Sequence, residues 1–242
     1  MAFMSDHRAI EEKIQGMLGS TRRPVAVTFL DAPPEGVAKF EGSEPSSCSF
    51  WRIAAGGRTF YTVASDHLNC PVGGYTHNTL PPDRMPELQQ TLSLMSDIGY
   101  IRMEEIPGVF HLSTTPRVVM YAPLGDTPLP PSAVLVSGKP GRVMMLSEAA
   151  TRAGASSALP MLGRPTCMAI PASIANGAVL SSGCIGNRVY TEIGDDELYV
   201  VLRGSDLERI AGEIDTIQSA NQTLTGYHQD RRARLTVLSG AM

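Results

Sequence analysis

The sequence predicts an α/β (α+β) protein of two internally duplicated halves related by a pseudo-twofold axis, with mixed sheets flanked by helices. Short β-branched runs alternate with stretches of helical periodicity along the 242 residues, which is typical of a mixed fold. The same order of predicted strands, helices and cysteines occurs twice along the chain. Residues 123–131 separate the two occurrences and carry four prolines in nine residues, a composition typical of a linker.

Residues 1–20 are predicted to form an N-terminal helix, and residues 21–122 the first half. Apolar residues recur at helical spacing over 5–18, behind the candidate caps Ser5 and Asp6. Within the first half, β-branched and aromatic runs predict strands, and amphipathic stretches predict helices. In chain order these are a strand at Val25–Leu30, a short helix opened by Cys48, a strand at 60–64, a helix at 86–98, and strands near 100–103, 109–112 and 118–122.

Residues 132–242 form the predicted second half, which repeats the order of the first. Cys167 precedes an apolar segment as Cys48 does, and a strand leads into Cys184 as another leads into Cys70. Similar units packed about a twofold axis bring equivalent loops together, so we expect the four cysteine loops to converge. The predicted elements are strands at 133–137 and 178–181, an added helix at 143–152, a polar turn at 195–197 leading into a strand, and a C-terminal helix at 205–220 with a tail.

Composition excludes several classes of function. The net charge of −4 and the pI near 5.7 argue against electrostatic capture of nucleic acid or of an anionic membrane surface. No stretch approaches the roughly 18 apolar residues that a membrane-spanning helix needs. Residues 1–14 are mixed and charged, without the apolar core and cleavage site of a signal peptide. We therefore expect a cytoplasmic protein.

The four cysteines carry the main functional prediction. In a reducing compartment, cysteines are metal or cluster ligands, reactive thiols, or buried small hydrophobes rather than disulfides. Each lies at or beside a predicted turn, such as the one indicated by Pro71, Gly73 and Gly74 after Cys70. Four thiolates match the ligand count of a structural zinc ion or of an iron–sulfur cluster, although the chain has no Cys-x-x-Cys pair.

Of the two metal sites, the cluster is favoured. Structural zinc typically stabilises domains too small to support themselves, whereas this chain has 242 residues. Neighbouring glycines can offer backbone amides to cluster sulfur atoms. We therefore expect an iron–sulfur cluster of the 4Fe–4S type, with another metal, metal-free thiols and inert burial as open alternatives. The expected ligands are Cys48, Cys70, Cys167 and Cys184.

Two further residues are candidates for handling a substrate beside these cysteines. His67 stands three residues before Cys70, with Asp66 able to orient its ring as in an acid–base pair. Arg188 follows Cys184 on a glycine-rich turn, where a guanidinium could bind a carboxylate or phosphate through two hydrogen bonds. The alternatives are a surface or turn histidine for His67 and a salt bridge to Glu192 or Asp195 for Arg188.

Four stretches of the sequence resemble the DUF169 family of bacterial and archaeal proteins. They are Arg-Pro-Val-Ala-Val at 23–27, Cys-Ser-Phe-Trp at 48–51, His-Leu-Asn-Cys-Pro-Val-Gly at 67–73 and Ser-Gly-Cys-Ile-Gly-Asn-Arg at 182–188. The resemblance covers most of the chain, and the Gly-Cys-x-Gly-x-Arg stretch followed by Asp-Glu-Leu-Tyr is its most specific part. It implies that the cysteine loops belong to the family pattern, and it supplies no catalytic residue.

The sequence thus predicts an iron–sulfur protein that transfers electrons or acts on a small anionic molecule. Four ligating cysteines would saturate the cluster, whereas three would leave an iron atom open as a Lewis acid. The alternatives are a metal-free thiol enzyme or metal-binding accessory protein that uses Cys70 or Cys184, and a non-catalytic ligand-binding module. The expected partners are a small-molecule anion or a redox partner protein, without nucleic acid or membrane, and a homo-oligomer is compatible with the pattern.

Overall fold

A seven-stranded mixed sheet runs through the computed structural model, which describes the backbone of residues 6–240. The order across the sheet is β2-β3-β1-β4-β7-β6-β5, and every pair is antiparallel except β5 with β6. The predicted α/β class is confirmed. The strands are β1 (Val25–Leu30), β2 (Phe60–Val63), β3 (Val118–Pro123), β4 (Ala133–Gly138), β5 (Met161–Leu162), β6 (Val179–Ser181) and β7 (Leu198–Arg203).

Helices cover both faces of this sheet. Because β3 and β4 are buried along their whole length, they read as continuous apolar runs rather than as alternating ones. The described helices are α1 (His7–Leu18), α2 (Ser49–Ala55), α3 (Pro71–Thr76), α4 (Met85–Asp97), α5 (Pro140–Arg152), α6 (Ala169–Asn176), α7 (Ile185–Thr191) and α8 (Leu207–Gly240). Within the described range, none of them is both long and apolar enough to cross a bilayer.

The two faces of the sheet belong to two separate apolar cores. On one face, α1, α5 and α8 pack over strand residues such as Ala26 and Val134. On the other face, α2 and α6 pack over the next residues along the same strands, such as Val27 and Leu135. Successive side chains of a strand point to opposite faces, so adjacent residues enter different cores. Cys48 and Cys167 lie in the second core, which therefore positions the candidate site.

The strand order is nearly symmetrical about the centre of the sheet. Outwards from the centre it runs β1, β3, β2 in the first half and β4, β7, β6 in the second, where β5 is added at the edge. The two inner strands, β1 and β4, meet with Ala26 opposite Val134. Val25 pairs with Pro123, and Ala133 pairs with Arg203, so the ladders of the two halves start in the same way. A pseudo-twofold axis would produce this arrangement, and the duplication itself stays a prediction that superposing the halves would test.

The predicted linker, residues 123–131, connects β3 to β4. It contains a 3-10 helix at Leu124–Asp126, and the Leu124 side chain is fully buried in the core beneath α1. In the second half, another 3-10 helix at Gly204–Asp206 follows β7 and leads into α8. The divisions at 21–122 and 132–242 stay predictions.

Several predicted elements coincide with the structure, and α1 shows why. Asp6 accepts a hydrogen bond from the backbone N–H of Ala9, which caps the helix at its N-terminus. Gly19, in the left-handed region, ends it. The other candidate cap, Ser5, lies outside the described residues. The helix that follows β7 is much longer than the predicted 205–220, since α8 continues to Gly240.

Two predictions about the first half are wrong. The expected strands at 100–103 and 109–112 do not form, and a 3-10 helix at Met103–Gly108 lies between them. Met103 and Phe110 are exposed, so these short apolar runs have no sheet to join. The expected turn after Cys70 is the helix α3, because Pro71 occupies its first turn, where a missing N–H costs nothing.

Candidate thiol site

Each of the four cysteines lies at the beginning of a helix. Cys48 directly precedes α2, Cys70 precedes α3 and Cys184 precedes α7. Cys167 lies in a 3-10 helix at Thr166–Met168 that runs into α6. Helix N-termini carry unpaired backbone N–H groups and partial positive charge, so all four sulfur atoms start from surroundings that favour a thiolate or another anion.

Helix packing brings these four positions together across the centre of the molecule. The helix α2 of the first half packs on α7 of the second, and α3 packs on the 3-10 helix that holds Cys167. Each contact therefore joins one cysteine loop from each half. We call the resulting set Cys48, Cys70, Cys167 and Cys184 the thiol site. All four are free cysteines.

The two inner, buried thiols, Cys48 and Cys167, are electrostatically coupled to other cysteines of the site. Burial raises the pKa of the Cys48 thiol, and the charges of Cys70 and Cys184 raise it further. Burial likewise raises the pKa of Cys167, with further contributions from Cys48, Cys70 and Cys184. Both inner cysteines are thus thiols at neutral pH in this arrangement. Cys70 and Cys184 are only partly buried, so solvent reaches them.

Two polar side chains that were not among the predicted site residues lie near the thiols. Tyr121 is fully buried, and its hydroxyl has no hydrogen-bond partner among the described residues. Burial raises its pKa, and the charges of Cys48, Cys167 and Cys70 add to this. Asn187 lies beside Cys48 and lowers that thiol's pKa in part, yet neither of its carboxamide atoms makes a hydrogen bond of ordinary geometry within the described chain.

Of these two residues, only Asn187 could have been recognised from the sequence. It belongs to the Gly-Cys-x-Gly-x-Arg stretch, which is the most specific part of the family resemblance. Tyr121 lies in the middle of the apolar strand β3, where a tyrosine is ordinarily a core residue. Buried polar groups are normally hydrogen-bonded, so unpaired atoms on both residues, beside four thiols, mark a region that differs from an ordinary core.

His67 is a buried histidine with a complete set of partners. Its Nδ1 lies 2.9 Å from the hydroxyl of Ser47, and its Nε2 lies 2.8 Å from that of Thr62. Because Thr62 donates its single hydrogen to the carbonyl of Val119, it accepts from Nε2, and the neutral ring accepts from Ser47 at Nδ1. Burial lowers the pKa of His67 to about 4. Both nitrogens are engaged, so the acid–base role expected for His67 stays a prediction.

His77 is a second buried histidine close to His67, and it lacks hydrogen-bond partners among the described residues. Its ring lies 6.4 Å from that of His67 and 5.5 Å from that of Phe29. The side chain is fully buried, and neither ring nitrogen has a hydrogen-bond partner in the part of the chain that the structure describes. Burial lowers its pKa to about 3, with a smaller contribution from the charge of His67.

Arg188 holds a loop together rather than facing the thiols. Its guanidinium donates to the carbonyls of Gly194 and Glu197, at 2.5 and 3.1 Å, and to that of Ser182. A weak ion pair with Asp195 adds to this, with 3.8 Å between nitrogen and oxygen. These bonds tie the start of α7 to the turn before β7. The substrate-binding role expected for Arg188 stays a prediction, since most of its donors already have acceptors in the protein.

The donor set of the thiol site suits an iron–sulfur cluster, whereas its present arrangement is not that of a formed metal site. Two cysteines in an apolar core and two partly buried ones, with unpaired polar atoms of Tyr121 and Asn187 nearby, supply the ligands and hydrogen-bonding groups that such a cluster uses. No three or more of the described histidine, cysteine, aspartate and glutamate side chains are grouped so as to hold a metal ion. Binding would therefore require the four loops to draw closer.

Comparison with known proteins gives one match. The model of the DUF169 family, described as "Uncharacterised ArCR", matches residues 13–213. That range includes all four cysteines, Tyr121 and Asn187, and it ends within the first turns of α8. Searches of curated proteins and of solved structures returned no match.

Proposed function

The chain belongs to the DUF169 family, and from the geometry of its thiol site we propose that it is an iron–sulfur protein of the cytoplasm. One observation carries the proposal: Cys167 lies in the electrostatic field of Cys48, Cys70 and Cys184, and Cys48 lies in that of Cys70 and Cys184, across the two halves. Cysteines that serve only as buried hydrophobes have no reason to come from four separate loops to one place. The proposed ligands of a 4Fe–4S cluster are Cys48, Cys70, Cys167 and Cys184.

Electron transfer to a redox partner protein is the role that the surrounding residues support best. A cluster held by four thiolates has no open iron site and supplies one-electron chemistry when bound. A reaction on a substrate would need a free acid–base group and a free cation. His67 has both ring nitrogens engaged, and Arg188 donates to three carbonyls.

Tyr121 and Asn187 are the groups that would tune such a cluster. Hydrogen bonds to the sulfur atoms and exclusion of solvent raise or lower the reduction potential of an iron–sulfur centre. The hydroxyl of Tyr121 and the amide of Asn187 are donors without partners among the described residues, and both lie beside the inner thiol Cys48. A Tyr121→Phe variant should therefore keep the cluster and shift its potential.

A metal-free thiol protein is the second candidate, and a specific observation favours it. Cys70 and Cys184 are reached by solvent, whereas Cys48 and Cys167 are buried. The Ser46 hydroxyl donates to the sulfur of Cys70 at 3.6 Å, and such a contact stabilises a thiolate. Under this proposal Cys70 or Cys184 is the nucleophile, and the inner pair has only a packing role.

Anaerobic purification followed by treatment with ferrous iron and sulfide separates the two proposals. The wild-type protein should retain about four iron atoms and four sulfide ions per chain. The variants Cys48→Ser and Cys167→Ser should lose most of both, while Ser156→Ala, at an exposed loop position, should bind as the wild type does.

A folded wild-type protein that retains neither iron nor sulfide would contradict the cluster. If rapid modification by a thiol reagent at Cys70 or Cys184 accompanied that result, the metal-free thiol protein would be the better proposal. If all four thiols were inert as well, a ligand-binding module with structural cysteines would remain.

A further inference from the structure

A small pocket beside α2 has basic side chains among those that line it. Its walls include Arg22 and Arg52, the ring of Trp51, and the side chains of Thr191 and Tyr199. It is open to solvent. No acidic residue is among the described residues that line it. The pocket therefore has the charge to attract a small anion.

Trp51 supplies a hydrogen-bond donor without an acceptor in this pocket. The side chain is 2% exposed, and its indole Nε1 has no partner among the described residues. A buried N–H group that lacks an acceptor costs roughly 1–3 kcal/mol, and buried indole groups ordinarily find one. An anion in the pocket would provide that acceptor.

The two arginines are only loosely held by the protein. Arg22 donates to the carbonyl of Glu192 at 3.2 Å, and its guanidinium lies 4.0 Å from the carboxylate of Glu197. Arg52 lies 3.4 Å from the carboxylate of Glu192, and both side chains of this pair are largely exposed. Ion pairs of this kind contribute little and exchange readily. Both guanidinium groups are thus able to turn towards an anion.

A third arginine, Arg23, lines the same pocket but is not part of the proposed site. It bonds to Glu11 at 2.6 Å and to Asp126 at 2.5 Å. Those carboxylates neutralise it and hold the pKa of the guanidinium well above its usual value. The charge that would attract an anion therefore comes from Arg22 and Arg52.

We propose that this pocket binds a small oxyanion, a carboxylate or a phosphate, between the guanidinium groups of Arg22 and Arg52 and the indole N–H of Trp51. Guanidinium groups present paired donors that match the oxygen atoms of both anions. The proposal does not depend on a cluster at the thiol site.

Trp51 is the only tryptophan of the chain, so its fluorescence reports directly on the pocket. The wild-type protein would be titrated with inorganic phosphate and, separately, with succinate, each against sodium chloride at matched ionic strength. Saturable changes with phosphate or succinate but not with chloride are expected, and the anion that half-saturates at the lower concentration identifies the ligand class. The same change with chloride, or no change with either oxyanion, would overturn the proposal.

Charge-removing variants test which residues bind. Arg22→Met and Arg52→Met should each weaken oxyanion binding at least tenfold. Arg58→Met is the matched control, because Arg58 lies over the rings of Phe40 and Phe60 rather than in the pocket. Arg52 is about half exposed, so its replacement leaves the core intact. Binding by Arg52→Met as tight as by Arg58→Met would overturn the proposal.

Discussion

Two buried histidines, 6.4 Å apart, show at the scale of single residues how hydrogen bonding decides whether a polar group stabilises a core. His67 accepts from Ser47 and donates to Thr62, so the polar atoms of three side chains satisfy one another. His77 is equally buried but has no such partner within the described chain. The hydroxyl groups of Ser47 and Thr62 depend on the ring of His67 for hydrogen bonds. No described side chain depends on the ring of His77 in this way.

The same substitution at the two positions should therefore have different effects on stability. His67→Leu leaves the Ser47 hydroxyl buried without an acceptor, and we expect it to lower the free energy of unfolding by about 1–3 kcal/mol. His77→Leu removes two unpaired nitrogens, and we expect a neutral or stabilising effect. Urea denaturation at pH 7, followed by circular dichroism, measures both. Equal losses at the two positions would show that packing, not hydrogen bonding, dominates.

The lowered pKa of His77 also predicts how stability depends on pH. In the unfolded chain a histidine takes up a proton near pH 6.5, whereas His77 in the folded protein does so only near pH 3. The unfolded state therefore binds more protons between these values, and stability falls as the pH is lowered below 6.5. The slope that His77 contributes approaches about 1.4 kcal/mol per pH unit.

The His77→Leu variant isolates this contribution, because the other titrating groups are shared with the wild type. Its unfolding free energy, measured between pH 7 and pH 4.5, should decrease less steeply than that of the wild-type protein. Parallel pH profiles for the two proteins would mean that His77 has the same pKa in the folded and unfolded states.

At the scale of elements, glycines inside helices can be sorted by the space around them. A Cβ atom on Gly73 in α3 would lie 2.6 Å from the Ser47 hydroxyl oxygen and 3.0 Å from the Cys70 sulfur. A Cβ atom on Gly16 in α1 would meet nothing within 4 Å. The first glycine lets α3 approach the loop before Cys48, and the second has no such function.

Replacement of glycine by alanine should thus change the free energy of unfolding in opposite directions in these two helices. Gly16→Ala should raise the free energy of unfolding by about 0.5–1 kcal/mol, because alanine favours the helix. Gly73→Ala should lower it, since the added methyl group must displace Ser47 and move Cys70. Thermal unfolding of both variants gives the comparison, and a stabilised Gly73→Ala protein would contradict the close approach.

The helix α3 also shows which parts of the fold and of the site could be predicted from the sequence. Strands such as β1 and β4 were predictable because their apolar runs join the sheet. The helix α3 was not, because glycines that favour turns in isolation here allow tight packing against Ser47, a contact with a residue distant in sequence. Convergence of the cysteine loops follows from the repeated order as a prediction, whereas the surroundings of Tyr121 and Asn187 arise only from tertiary packing.

At the scale of the whole molecule, the two halves share one sheet and both of its cores. The helix α1 of the first half packs against α5 and α8 of the second, and β1 pairs with β4 at the centre of the sheet. Neither half buries its apolar surface by itself.

We therefore expect the protein to unfold in a single transition. Denaturation curves from Trp51 fluorescence, which reports on α2, and from circular dichroism, which reports on all helices, should coincide. A first transition seen by fluorescence alone would indicate that the halves unfold separately.

The strand order also has a consequence during synthesis. The first strand to leave the ribosome, β1, occupies the centre of the sheet, and its partners β3 and β4 follow only after β2 and the helices α2, α3 and α4 have been made. Within the described chain no two consecutive strands form a hairpin, so local pairing cannot shield β1 in the meantime. Pairings between distant segments form slowly, in milliseconds to seconds for domains dominated by them. The nascent chain therefore carries an unpaired apolar strand until β3 and β4 have been synthesised. During that interval the strand is a natural target for a chaperone.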